Sequence, residues 1–212
     1  MLADERLMNW RNAALFTPYG DRLRLYRRLF NSWLNKNAST AFHDSQTYQA
    51  RKMLVGFLRL GDSAVSSEMV EMEIQELTAS AILRAAYGYE VESSNDPFVL
   101  SIKSVVEIVS QIALPGNFLV NLIPTLLYAP EWLPGTSWKR KARGWRAQKD
   151  QVLNETFAWT KNQMAQGMAK PSILRSILEN IHESKHEDPQ HQEEAVKEVA
   201  LALFGAGSDT VR

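Results

Sequence analysis

The sequence predicts a mostly α-helical protein with little β-sheet. Apolar residues recur three and four positions apart over most of the 212 residues, whereas no long stretch alternates apolar and polar residues as a strand does. Polar residues that cap helices, together with glycines and prolines, separate these periodic stretches. The chain is 45% hydrophobic, which is ordinary for a globular protein, and it is long enough to bury a core as one domain.

The first three predicted helices are bounded by turn and capping signals. The first covers residues 23–33, and the second covers residues 46–60. Ser66 or Ser67 caps the third helix, and Gly88 follows its end. The apolar stripe of the third helix consists of Val70, Ile74, Leu77 and Ala81.

The fourth predicted helix has the clearest signals. Asp96 and Pro97 begin it, because proline fits the first position of a helix. Residues 114–116, which read Leu-Pro-Gly, end it. Its apolar face has regular helical spacing and consists of Phe98, Ile102, Val105, Val109 and Ile112.

Three further helices complete the prediction. The fifth begins at Thr136 or Ser137, and the sixth begins at Ser172. Residues 183–192 are predicted to be a polar linker, after which the last helix runs from about Glu193 to the end of the chain. The apolar stripes of this helix and of the fourth are expected to need partners from a larger fold.

The end of the last helix carries a run of small and then polar residues. Ala206 and Gly207 are so small that a flat or small ligand can approach the backbone. Gly205 and Gly207 each weaken the helix by about 1 kcal/mol relative to alanine. Asp209 can supply protons, and the Thr210 hydroxyl can both donate and accept a hydrogen bond. The alternative is a helix C-cap followed by a polar exit from the last turn.

The composition excludes several classes of function. The 24 basic and 24 acidic residues give no net charge, which argues against a nucleic-acid-binding protein. The absence of cysteine excludes disulfides and thiolate metal sites. Glu179 and His182 have the Glu-x-x-His spacing of di-iron bundles, but such a site needs two of these motifs and two further carboxylates. No metal site is therefore predicted.

Several motifs occur in an order that is typical of one enzyme family. Residues 206–210 read Ala-Gly-Ser-Asp-Thr and resemble the A-G-x-D-T element of cytochrome P-450 haem-thiolate monooxygenases. Residues 18–28 resemble the family's P-Y-G-D-x-W-R-x-x-R-R segment, although Leu23 replaces the tryptophan, which predicts weaker haem retention. Matching segments between them lie at residues 87–91, 115–121, 128–135 and 139–142. Together they resemble fungal, especially basidiomycete-type, members of the family over nearly all of the chain.

The resemblance implies a partial cytochrome P-450 fold, with residues 1–212 as a single partial domain from the centre of the enzyme. The N-terminal anchor and the C-terminal haem-cysteine region are expected to be absent. The implied activity is that of a haem-dependent monooxygenase, which inserts one atom of O₂ into a small apolar organic substrate. In the complete enzyme, a flavin reductase would donate electrons at the endoplasmic reticulum membrane. The chain alone is expected to be inactive, and the alternative is a non-catalytic, haem-free helical fragment with an interaction role.

The resemblance also assigns the site residues. Arg27 falls on the arginine that binds a haem propionate, and Ala206 and Gly207 make room for O₂ beside the haem. Thr210 would hold the oxygen and its water, and Asp209 would relay protons. From the residues alone, Arg27 also fits a solvated row of arginines.

Residues 117–134 are rich in large apolar side chains, but prolines interrupt them, so they cannot form one transmembrane helix. They are predicted to be an amphipathic connector that contacts a membrane surface and lines a channel for apolar substrates. The alternative is a buried turn between two core helices. The basic residues that follow are interpreted as a solvated helix face, with anionic lipid as an alternative contact: Lys139, Arg140, Lys141, Arg143 and Arg146.

Overall fold

The computed structural model describes residues 1–60, 66–91, 93, 95–114, 116–183 and 189–209. These residues form eight α-helices and two short 3-10 helices, and none of them lies in a strand. The α-helices are α1 (Asp21–Leu34), α2 (His43–Leu60), α3 (Ser67–Tyr87), α4 (Pro97–Ala113), α5 (Leu119–Leu122), α6 (Ser137–Ala165), α7 (Ile173–Glu183) and α8 (Pro189–Asp209). The 3-10 helices are Ala38–Phe42 and Pro124–Tyr128. The predicted mostly α-helical class is confirmed.

The predicted capping residues lie at the ends of their helices, as expected. Ser66 Oγ accepts a hydrogen bond from the backbone N–H of Met69 (3.3 Å) at the start of α3. Asp96 Oδ1 accepts one from the backbone N–H of Phe98 (2.9 Å) at the start of α4. Gly88 follows α3 with a φ of 73°, which is the left-handed conformation that favours glycine. Local sequence therefore determines these helix ends, because each cap satisfies backbone groups that the helix leaves unpaired.

Helix α8 has the most partners in the fold, and it packs against α1, α3, α4, α6 and α7. Val196, Val199 and Phe204 on α8 are buried, as are Ile102 and Ile112 on α4. The expectation that these two apolar stripes need partners from a larger fold is therefore wrong. The surrounding helices of this chain already cover both stripes.

Helix α8 begins earlier than the sequence predicts. It starts at Pro189, so residues 189–192, which were expected to belong to a polar linker, are helical. Proline fits here because the first turn of a helix needs no N–H donor. Glu183, the first residue of the expected linker, is the last residue of α7. The remaining residues of that linker, 184–188, lie outside the described residues.

One basic residue at the start of α6 is buried, so the prediction of a fully solvated face is wrong at that position. Lys139 is 8% exposed, and its Nζ donates hydrogen bonds to the carbonyl oxygens of Leu127 (2.7 Å) and Ala129 (2.6 Å). Arg143 pairs with Glu131, which also precedes α6. The basic residues thus attach the preceding connector to α6.

The connector at residues 117–134 contains α5 and the second 3-10 helix, and most of its large apolar side chains are exposed. These exposed side chains are Leu119, Leu122, Ile123, Tyr128, Trp132 and Leu133. Val120, by contrast, is buried. The alternative of a buried turn is therefore wrong, and the connector is amphipathic. Within the described ranges, no helix combines the length and the apolar character needed to cross a bilayer.

Candidate functional site

A cavity of about 110 Å³ lies where α8, α4 and the N-terminal segment 10–15 meet. The lining residues are Glu198, Leu201, Ala202 and Gly205 from α8, Val105, Val106, Val109 and Ser110 from α4, and Trp10, Ala13, Ala14 and Leu15 from the N-terminal segment. Most of these side chains are aliphatic. An apolar cavity with few polar groups is typical of a site for a small organic molecule or for part of a larger one.

Gly205 brings the cavity close to the backbone of α8. A Cβ at this position would lie 3.7 Å from Cγ2 of Val106, which is an ordinary van der Waals distance. The helix continues through Ala206 and Gly207 as far as Asp209. The alternative of a C-cap at these small residues is therefore wrong, because they lie within the helix.

Glu198 adds a carboxylate to this otherwise apolar cavity. The residue is 8% exposed and lies two turns before Gly205 on α8. Its Oε1 lies 3.6 Å from Nζ of Lys149, whereas its buried Oε2 has no hydrogen-bond partner among the described residues. Burial raises the pKa of Glu198, and the positive charges of Lys149 and Arg22 oppose that rise.

Lys149 on α6 connects three parts of the fold beside the cavity. Its side chain is 3% exposed. Nζ donates a hydrogen bond to the carbonyl oxygen of Asn9 (3.2 Å) and lies 3.4 Å from Oδ1 of Asp150. It also lies 5.4 Å from the centre of the Trp10 ring, within the range of a cation–π contact. Lys149 therefore fixes Trp10 and Glu198 relative to each other.

Trp10, which also lines the cavity, carries a second buried polar atom that lacks a partner within the described ranges. The residue is 5% exposed, and its ring packs edge-on against Phe16 with centroids 6.1 Å apart. Its Nε1 is buried and has no hydrogen-bond partner in the part of the chain that the structure describes. An indole N–H can only donate, so Trp10 complements the acceptor on Glu198.

Tyr26 holds α1 against α8. It is fully buried and packs in one cluster with Ala195 and Val199. Its hydroxyl donates a hydrogen bond to the carbonyl oxygen of Asn12 and accepts one from Nε of Arg22 (2.7 Å). Burial also raises the pKa of Tyr26. Because Asn12 lies in the segment that lines the cavity, Tyr26 links the cavity wall to the interface between α1 and α8.

Four of the five site residues predicted from the sequence lie on α1 and α8. Arg27 on α1 is exposed and forms no ion pair with another described residue. Ala206 on α8 is exposed as well. Gly207 and Asp209 belong to the last turns of α8, and Thr210 lies outside the described residues. The packing of α1 against α8 therefore brings together the elements that carry Arg27 and Ala206.

The structure assembles no metal site among the residues it describes, since no three His, Cys, Asp or Glu side chains there come close enough to bind an ion. Glu179, which begins the Glu-x-x-His pattern of α7, is exposed. It pairs with Arg175 across 2.8 Å.

A family model described as cytochrome P450 matches residues 2–212. The chain belongs to the cytochrome P450 family. The resemblance expected from residues 18–28 and 206–210 is thereby confirmed.

Three fungal relatives are similar to most of this cytochrome P450. It is 33% identical over 205 residues to cytochrome P450 monooxygenase 208 of Postia placenta, covering 96% of the chain and 38% of that relative. It is 32% identical over 205 residues to cytochrome P450 monooxygenase 98 of the same fungus, and this match covers 97% of the chain and 38% of that relative. Tryptamine 4-monooxygenase of Psilocybe cyanescens is 28% identical over 204 residues, and this match covers 96% of the chain and 38% of that relative. The chain thus spans about 38% of the length of these relatives.

Sequence reasoning missed the polar groups of the cavity in this cytochrome P450. Glu198 stands three residues after Ala195 and three before Leu201, so the helical period places it with buried apolar residues. A carboxylate among buried positions could therefore have pointed to this site from the sequence alone. Lys149 and Trp10 gave no comparable signal, because their contacts join parts of the chain that are far apart in sequence.

Proposed function

We propose that this cytochrome P450 is a haem-dependent monooxygenase that inserts one oxygen atom from O₂ into an apolar organic molecule. The observation that carries the proposal is the apolar cavity whose α8 wall reaches Gly205, directly before the family motif at residues 206–210. The names of the relatives support it, since all three are monooxygenases. The cavity would hold the substrate, and the adjoining motif would hold the oxygen.

The side chains on α1 and α8 fit a haem. The exposed guanidinium of Arg27 has no ion-pair partner in the described ranges, so it can bind an anionic propionate through charge-assisted hydrogen bonds. Ala206 presents only a methyl group and Gly207 no side chain, so a flat ring can approach α8 there. A flat group that spans the two packed helices would contact both. The cysteine ligand of the family has no counterpart among the 212 residues, which contain no cysteine.

The mechanism assigns a separate task to each part of the site. Haem, when bound, supplies the iron at which O₂ is activated. The aliphatic walls of the cavity would orient the substrate and exclude water from it. Oγ1 of Thr210 would donate a hydrogen bond to O₂ and accept one from a water molecule. The Asp209 carboxylate would pass protons from solvent toward that hydroxyl.

The connector at residues 117–134 is assigned to a membrane surface. Leu122 and Trp132 are 62% and 80% exposed, and apolar side chains of this kind insert at the boundary between headgroups and acyl chains. Arg140 and Lys141 are exposed on the next helix and would attract anionic headgroups. The complete enzyme would then lie on the endoplasmic reticulum membrane and receive electrons from a flavin reductase.

Thr210→Ala in the haem-loaded full-length protein tests the proposal. The variant should bind haem and accept electrons normally but release hydrogen peroxide, so the ratio of oxygenated product to reduced cofactor consumed should fall. Asp209→Asn should slow turnover instead, because it removes an ionisable group and keeps the shape.

The matched control is Thr78→Ala on α3. Among the described residues, the Thr78 hydroxyl donates its hydrogen bond to the carbonyl oxygen of Ile74 (2.8 Å), and Thr78 does not line the cavity. An unchanged product ratio in Thr210→Ala would remove Thr210 from the mechanism.

A further inference from the structure

Two residues that line the cavity next to Gly205 each carry a buried polar atom without a partner among the described residues, one an acceptor and the other a donor. Oε2 of Glu198 and Nε1 of Trp10 are both buried, and neither has a hydrogen-bond partner within the described part of the chain. Both residues line the cavity and are more than nine-tenths buried. A buried polar atom without a partner is costly, so the pair indicates a ligand group that satisfies both atoms.

The neighbouring charges restrict the chemistry of that group. Lys149 already contacts Oε1 of Glu198 and lies over the Trp10 ring, so a cationic ligand would meet a buried ammonium. An anionic ligand would meet the Glu198 carboxylate. A neutral group avoids both repulsions. It must donate to Oε2 and accept from Nε1, and a hydroxyl does both with a single oxygen.

We propose that Glu198 and Trp10 form a polar anchor for a hydroxyl group, so that the cavity takes an apolar alcohol. The inference rests on the proposed function, since it assigns the cavity to the substrate. Lys149 acts as a positioning residue: it holds Oε1 of Glu198 and the face of the Trp10 ring, while Oε2 and Nε1 keep their hydrogen-bonding capacity unused by the described residues. The aliphatic walls accept the hydrocarbon part of the molecule.

The test uses phenol and toluene, which have the same ring and differ by a hydroxyl in place of a methyl group. Their dissociation constants are measured by calorimetry on the haem-loaded full-length protein, and the haem absorption band is followed in parallel. The measured quantity is the preference, defined as the dissociation constant of toluene divided by that of phenol. Comparing this preference between variants cancels the different hydration of the two probes.

Glu198→Leu should lower the preference about tenfold, because a hydrogen bond to a charged acceptor is lost. Trp10→Phe should lower it about fivefold, because a neutral donor is lost and the aromatic ring remains. Trp10→Phe keeps the pair of Lys149 and Glu198, so the test stands even if Glu198→Leu folds poorly. Glu193→Gln is the matched control: Glu193 is also on α8 but pairs with Lys161 (2.9 Å) away from the cavity, so the preference should not change.

Two outcomes would overturn the inference, and they differ in what else they overturn. If both probes bind and the preference is unchanged in both variants, the anchor does not exist, while the assignment of the cavity to the substrate stands. If neither probe binds or shifts the haem band, the cavity is not a ligand site, and the proposed function loses the observation that carries it.

Discussion

Lys149→Met is expected to lower the free energy of unfolding of the 212-residue chain by about 3 kcal/mol. The Lys149 side chain is 3% exposed, and its Nζ lies 3.2 to 3.6 Å from oxygens of Asn9, Asp150 and Glu198. Methionine keeps the length of the side chain but leaves the buried Glu198 carboxylate without the ammonium that contacts it. Breaking a buried pair costs about 3–5 kcal/mol. The lower value applies because these distances exceed those of a short charge-assisted hydrogen bond.

The loss of stability in Lys149→Met should depend on pH, and the direction of this dependence is set by the pKa of Glu198. Burial raises the pKa of Glu198 in the folded chain, and removing the charge of Lys149 raises that pKa further. Between the ordinary pKa of a glutamate, about 4.3, and the raised value, the folded state holds a proton that the unfolded state has released. Stability therefore falls as pH rises through this window, by up to about 1.4 kcal/mol per pH unit. The variant should regain stability when the pH is lowered from about 7 to about 5.

Urea denaturation at the two pH values, followed by helical circular dichroism, measures both effects. Lys161→Met is the matched control, because Lys161 pairs with Glu193 while their side chains are 48% and 35% exposed. Such a surface pair contributes about 0–1 kcal/mol, so the control should lose little stability at either pH. Equal losses in the two variants at both pH values would refute the reasoning.

Four further outcomes are expected. Gly205→Ala should stabilise the chain by about 1 kcal/mol in the same assay, because alanine favours a helix and the new Cβ meets Val106 at an ordinary distance; a loss of stability would contradict this. Arg27→Gln should speed haem loss to apomyoglobin about tenfold, whereas the neighbouring Arg28→Gln should not; equal rates would exclude a propionate contact. The 212-residue chain, mixed with haemin, reduced and exposed to carbon monoxide, should give no thiolate-type absorption band, because it contains no cysteine. Trp132→Ser should weaken sedimentation with anionic vesicles, since this side chain is 80% exposed; unchanged binding would place the membrane contact elsewhere.

Features decided by neighbours along the chain could be predicted from the sequence. The caps at Ser66 and Asp96 and the left-handed Gly88 follow from local backbone chemistry, and the structure contains all three. The start of α8 at Pro189 was missed because polar residues mask the helical period of its first turn.

The buried charges could not be predicted in the same way. Lys139 and Lys149 lie on a helix with many basic residues, which is typical of a solvated face. They are buried because other segments pack over them: the connector covers Lys139, and α8 with the N-terminal segment covers Lys149. Of the site residues expected from the family resemblance, Arg27 and Ala206 are exposed on packed helices. The roles of all five of these residues stay predictions: Arg27, Ala206, Gly207, Asp209 and Thr210.

The bond from Lys149 to Asn9 has a consequence for the order of folding. It joins residues 140 positions apart, and Arg146 makes a similar bond to the carbonyl oxygen of Glu5 across 141 positions. During synthesis the N-terminal segment emerges first, yet its anchors on α6 and the α8 carboxylate that pairs with Lys149 emerge much later. Closing so long a loop carries an entropic cost that must be met before the contacts form. One wall of the cavity should therefore be among the last parts of the chain to become ordered, and a molecule that fills the cavity would favour that final step by binding only the finished fold.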